Sequence, residues 1–173
     1  ILFFVGLILL SRIQRFRISS YQFTGEVLVK KEEVENTTKD FLSGNYLWFF
    51  PRNNALLYSR SGLEKKLKEE YKRIDTISIR LGNLQTLNIS ITERSLNALW
   101  CDELPDSEIP KHCYFLDNNG LIFAESPDFS GDAYFKFYGL VSTSTTPIGI
   151  NYVDSEKQFK DLEEFIHRAQ DLS

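Results

Sequence analysis

The chain has 173 residues, 42% of them hydrophobic and 25% charged, with a formal net charge of −4. That is enough apolar material for one or two small cores, which excludes a disordered tail. No run of Lys or Arg is long enough to neutralise several phosphates, so no nucleic-acid partner is expected.

Ile1 to Leu10 are apolar apart from Gly6, and the sequence contains no Met. We therefore expect the sequence to begin inside a longer hydrophobic segment. Ten residues rise only about 15 Å as a helix, about half the thickness of a bilayer core. Three readings are open: the end of a transmembrane anchor, the h-region of a signal peptide, and a buried core helix. Ser11 to Arg17 follow without a small-x-small cleavage pattern, which favours the anchor, and residues 1–15 are assigned to the end of a transmembrane helix. Arg12, Arg15 and Arg17 lie on its C-terminal flank, where the positive-inside rule places cytoplasm, against an extracytoplasmic body.

Phe16 to Gly25 reads as a strand, its alternation interrupted near Ser19-Ser20 and ended by Gly25. From Lys30 to Ser43, Val34, Thr38, Phe41 and Leu42 share one helical face, with Gly44 as the stop. Tyr46 to Pro51 form a dense aromatic stretch, too short to span a bilayer and too apolar for an exposed loop, so we expect it in the core. Ser61 and Glu64 stand at capping-box spacing ahead of a second helix carrying Leu63, Leu67 and Tyr71. Ile77, Ile79 and Leu81, then Leu87, Ile89 and Ile91, alternate on either side of a Gly82-Asn83 turn signal. This makes a β-α-α-β-β unit over residues 16–94, whose helices cover one sheet face and leave the other to water.

After Ser95 the pattern changes to short strands at 96–101, 113–116, 121–124 and 134–138. The middle pair is joined by Asp117-Asn118-Asn119-Gly120, in which Asn-Gly is a strong hairpin signal. Ser142 to Pro147 read as a polar loop. A last helix runs from Glu156 to Leu172, with Phe159, Leu162, Ile166 and Ala169 on one face and Ser155 and Gln158 at cap spacing. The fold class is thus α+β: the remnant of an anchor helix, a β-α-α-β-β domain, and an antiparallel β-rich domain over 95–173 with a C-terminal helix.

Cys101 and Cys113, the two cysteines, stand at the facing ends of strands expected to be neighbours. They are read either as a disulfide closing about 13 residues, worth about 2–3 kcal/mol outside the cytoplasm, or as two buried thiols. His112, with Cys101, Asp102, Glu103 and Cys113, could be imagined as a zinc site, but there is no Cys-x-x-Cys pair and no second nearby His. Only two His exist, neither in a motif that orients a nucleophile, and His167 falls in the last helix pattern. The acidic pairs Glu32-Glu33, Glu69-Glu70 and Glu163-Glu164 lie on polar helix sides, where solvated faces are the simpler reading. No Gly-rich phosphate loop occurs. We expect no enzyme activity, no cofactor, no metal and no small-molecule substrate.

The order of these elements resembles the FtsQ/DivIB family of bacterial cell-division proteins, which place a POTRA domain directly after a single transmembrane helix. The resemblance covers about Phe16 to Leu140. Phe23-Thr24-Gly25 is similar to the family's apolar-x-Gly strand ending, Pro51 and the aromatic stretch sit between the helices, and Tyr71-Lys72-Arg73-Ile74 precede the second strand. Leu84 to Arg94 resemble the strand that ends in Glu-Arg, Leu96 to Trp100 its apolar-Ala-x-Trp segment, and Asp117 to Phe123 its Asp-x-x-Gly-x-x-Phe hairpin. The family's Pro before the second and third strands is replaced by Lys72-Arg73 and Leu84-Gln85. The second domain is expected to be incomplete, and the late strands that contribute in the family to binding FtsB- and FtsL-type proteins have no matching residues here.

The resemblance implies a non-enzymatic divisome scaffold, a single-pass protein of the bacterial cell membrane at the division septum, with its bulk extracytoplasmic. It also implies that the second strand of the POTRA sheet lies at an edge. Thr76, Ile77, Ser78, Ile79 and Arg80 would there pair with a partner's strand, Ile77 and Ile79 packing inward, or form an unused edge guarded by Arg73 and Arg80. Its partners would be other divisome membrane proteins, and the membrane itself through the N-terminal helix. The alternatives are a POTRA-bearing component of an outer-membrane assembly or secretion system, and a small extracytoplasmic hydrolase.

Overall fold

Apolar residues four apart on two helices meet apolar residues two apart on a sheet, and this shared spacing builds the first half of the chain. The computed structural model describes residues 2–25, 28–102, 112–127, 134–139 and 146–170, with the side chains of His167 and Gln170 excepted. It is a mixed α+β structure whose chain divides into two units, Ile1–Glu93 and Arg94–Ser173.

In the first unit, α1 (Leu2–Ser11) and a 3-10 turn (Gln14–Phe16) lead into β1 (Ser20–Thr24) and α2 (Lys31–Leu42). A small hairpin, β2 (Asn45–Tyr46) and β3 (Phe50–Pro51), precedes α3 (Arg60–Glu70), β4 (Ile74–Asn83) and β5 (Thr86–Glu93). The main sheet has the order β1-β5-β4, with β5 parallel to β1 and antiparallel to β4. Val34, Leu42, Leu63 and Leu67 of the helices pack with Ile79, Leu87, Ile89 and Ile91 of the sheet, all buried. Each such side chain contributes about 1.5–3 kcal/mol of burial. The Thr38 hydroxyl reaches that core by donating to the Val34 carbonyl at 2.7 Å.

Two boundary differences from the sequence reading in this unit have a visible physical cause. The first strand starts at Ser20 rather than Phe16, because Phe16 and Ile18 bond instead to the segment between the helices: Ile18 N–H donates to Asn53 O and Ala55 N–H to Phe16 O. The cap of α3 is Ser59, whose Oγ accepts from Gly62 N–H at 3.2 Å, so the helix begins one residue before Ser61. Gly25 does end β1. Its φ of +116° and a place so close to the Ile91 carbonyl that a Cβ would lie 2.2 Å from the oxygen both require glycine.

The second unit holds β6 (Ala98–Cys101), β7 (Cys113–Leu116), β8 (Ile122–Glu125), β9 (Lys136–Tyr138) and α4 (Glu156–Gln170). Its sheet runs β8-β7-β6-β9, antiparallel except that β9 lies parallel to β6. Ala98, Trp100, Leu116, Ile122 and Phe137 form its core with Phe159 of α4, and Leu162 and Ile166 pack against them. The β7–β8 hairpin is held by Asp117, whose Oδ1 accepts from Asn119 N–H and Leu121 N–H at 2.8 and 2.9 Å. As the cap spacing predicts, Ser155 Oγ accepts from Gln158 N–H at the start of α4. Glu103 and residues 142–145 of the polar loop lie outside the described residues.

Candidate interaction site

The strand that carries Thr76 to Arg80 is β4, and it is an edge strand of its sheet. Ile79 is fully buried and Ile77 partly buried against the core, so the inward side of the strand is occupied by packing. Ile79 N–H donates to Glu64 Oε1 on α3 at 3.4 Å, which places that amide on the side of β4 away from β5. By the two-residue period of an antiparallel pair, Ile77 and Leu81 present their backbone groups to the same side. Glu64 is also bound by Arg60 at 2.9 Å, so a carboxylate on a helix stands over the outer edge of β4. Sequence reasoning names Arg73 and Arg80 as guards of this edge. Glu64 is not among them, because its capping-box spacing points to a different task.

The outer face of the sheet is polar throughout. Ser20, Gln22 and Thr24 on β1, Asn88, Ser90 and Thr92 on β5, and Thr76, Ser78 and Arg80 on β4 follow the register that leaves the other face apolar. Ser78, Arg80, Asn88 and Ser90 line a shallow depression of about 330 Å³. Asn88 Oδ1 is enclosed there without a hydrogen-bond partner among the described residues.

The Glu-Arg pair has structural work to do. Glu93 Oε1 accepts from Val29 N–H at 2.9 Å, tying the approach to α2 to the end of β5. Arg94 Nη1 donates to Asp117 Oδ2 at 2.5 Å, and both side chains are mostly buried. Cys101 and Cys113 are directly opposite in the β6–β7 pair and joined by a disulfide, with Cα atoms 4.2 Å apart. His112 uses its backbone N–H on Asp102 Oδ1. Among the described residues no three His, Cys, Asp or Glu are grouped so as to hold a metal ion. Beside the disulfide, burial pushes the Tyr114 phenol up, with Glu125 and Asp102 adding to the shift.

The aromatic stretch is the clearest departure from expectation. It is the β2–β3 hairpin, and at its tip Leu47 is 80% and Trp48 87% exposed, with Phe49 exposed as well. Phe50 and Pro51 account for the inward part: Phe50 is half-buried with its ring edge-on to Phe4 at 6.0 Å, and Pro51 is buried. Nor is α1 a core helix, since most of its apolar side chains are exposed. Among the described residues no helix is long and apolar enough to cross a membrane.

No family model and no curated protein matches the chain.

Proposed function

We propose that the chain is a non-enzymatic scaffold of the FtsQ/DivIB type. In this reading α1 is the end of a single-pass membrane anchor, residues 16–94 are a POTRA domain, and the bulk of the protein recruits septal membrane proteins of the FtsB and FtsL kind outside the bacterial membrane. The observation that carries the reading is the β-α-α-β-β unit with its last strand in the middle and β4 at the edge, directly after an apolar segment. The Glu93-Arg94 ending, the Asp117–Gly120 hairpin and the run of motifs in order support it from the sequence side.

Recruitment would work by strand addition. A partner strand laid along β4 takes the outward backbone groups of Ile77, Ile79 and Leu81, and displaces Glu64 from the Ile79 amide. Each new backbone hydrogen bond adds about 1 kcal/mol net, so register and side-chain fit along the polar face set specificity. Arg80 is the one charged side chain among the described strand residues of that face and would select partners with an acidic neighbour position.

The test is recovery of partners from detergent-solubilised membranes with the full-length form of the protein. Leu81→Pro removes one outward N–H at a partly exposed position, whereas a proline at the fully buried Ile79 would also remove core packing. Septal membrane proteins recovered with the parent and lost with Leu81→Pro, at unchanged folding, are the expected result. Their absence from the parent sample would overturn the division role.

A further inference from the structure

We propose that the β2–β3 hairpin tip is a second membrane contact, which seats the first unit on an anionic bilayer surface beside α1. The inference builds on the reading of α1 as the end of a membrane anchor and adds a separate element that lies flat in the headgroup region.

Leu47 and Trp48 carry φ values of +46° and +71°, the left-handed region that costs a bulky L-residue free energy. Their side chains are almost wholly exposed and gain nothing from the rest of the unit. A turn of this shape ordinarily uses Asn and Gly. A strained turn that holds a Leu and a Trp out into solvent is explained when something outside the unit receives them.

The tip is continuous with α1. Asn54, buried, donates from Nδ2 to the Ser11 carbonyl at 2.8 Å, and Arg12 Nε donates to the Phe49 carbonyl at 3.5 Å. Between them Leu7, Leu10, Phe16, Phe50, Leu56 and Leu57, with Ser11 and Asn54, line a mainly apolar groove of about 400 Å³. A helix that is apolar all round, as α1 is, belongs in a core or in lipid.

Charge identifies the receiver. Residues 2–19 and 44–59, which carry this surface, contain no Asp or Glu although the chain has 24 of them. They contain Arg12, Arg15, Arg17 and Arg52, all exposed, and among the described residues none has a carboxylate partner. Apolar tips edged by arginine, with a Trp at the boundary, match lipid chains below and anionic headgroups above. An acidic protein surface would satisfy the arginines but offers no place for a helix apolar on every side.

The test uses the 173-residue chain with vesicles of phosphatidylglycerol and phosphatidylcholine in equal parts, and with phosphatidylcholine alone. Brominated acyl chains should quench Trp48 and shift its emission to the blue, while Trp100, buried in the second unit, stays unquenched. Trp48→Phe should abolish the quenching. The double substitution Leu47→Asn with Trp48→Gly keeps the left-handed turn and should weaken partition about tenfold or more, as loss of about half the burial of one large apolar side chain would. Arg15→Gln should weaken it about fivefold on the anionic vesicles alone. Sedimentation with vesicles through α1 while Trp48 stays unquenched would overturn the hairpin contact and leave the anchor reading standing. No sedimentation at all would overturn both, and a blue shift that tracks protein concentration without vesicles would assign the surface to a second copy of the chain.

Discussion

Opening the Cys101–Cys113 bridge should cost the second unit about 3 kcal/mol. The two residues are 12 apart in sequence, so the bridge closes a loop of 13 residues counted inclusively, and loop-closure entropy for that length gives about 3 kcal/mol. The bridge joins β7 to β6, an inner strand of its sheet that also pairs with β9. Alanine at both positions is the cleaner variant, because Cys101 is fully buried and a serine hydroxyl there would add the cost of an unmatched donor. Trp100, buried on β6 with its ring 5.6 Å from Tyr114, reports the unfolding of this unit by fluorescence. With a urea dependence near the low end for small domains, the midpoint should fall by about 2 M in the double-alanine variant and equally in the parent protein under reductant. A midpoint that moves in neither sample would refute the argument that this bridge holds β6 to β7.

Three further outcomes follow from particular contacts. Arg94→Leu leaves the buried Asp117 carboxylate without its cation and should destabilise the second unit by about 3 kcal/mol in the same urea assay. Gly25→Ala should separate β1 from β5 and destabilise the first unit on the order of 3 kcal/mol, seen as a lowered midpoint by far-ultraviolet circular dichroism. Burial pushes the Tyr152 phenol above its ordinary value, and its hydroxyl donates to the Tyr138 carbonyl at 3.0 Å. With the folded value raised, the folded state holds the proton more tightly than the unfolded one. The stability this gives is fully present below about pH 10 and is lost as pH rises through the folded value. Tyr152→Phe should therefore lower stability by about 1 kcal/mol at neutral pH and flatten the alkaline fall.

What the sequence made legible are the features set by local spacing. Val34, Thr38 and Leu42, then Leu87, Ile89 and Ile91, read directly as helix and strand faces, and those faces are the ones buried. Asp117 to Gly120 signalled a turn, because an Asx side chain and a glycine in the left-handed region act within four residues. Features set by contacts across the chain were hidden. Phe16 and Ile18 read as strand, yet their partner is Asn53 to Ala55, more than thirty residues on, which no periodicity reveals. Ser59 displaced Ser61 as the cap of α3, since both have the right chemistry and only the entry of the chain separates them. Composition alone places the aromatic stretch in a core, but a two-strand hairpin has two sides, and Leu47 and Trp48 fall at its exposed tip. The β4 edge came from a resemblance and not from Ile77 and Ile79, whose alternation would be the same in an inner strand.

The most direct test of the scaffold account is photo-crosslinking in cells from single positions on the two edges of the first sheet. A photoreactive residue in place of Thr76 or of Arg80 on β4 should capture septal membrane proteins, while one in place of Gln22 on β1 should not. Capture from Gln22 alone, or from none of the three with the protein at the septum, would contradict strand addition at β4.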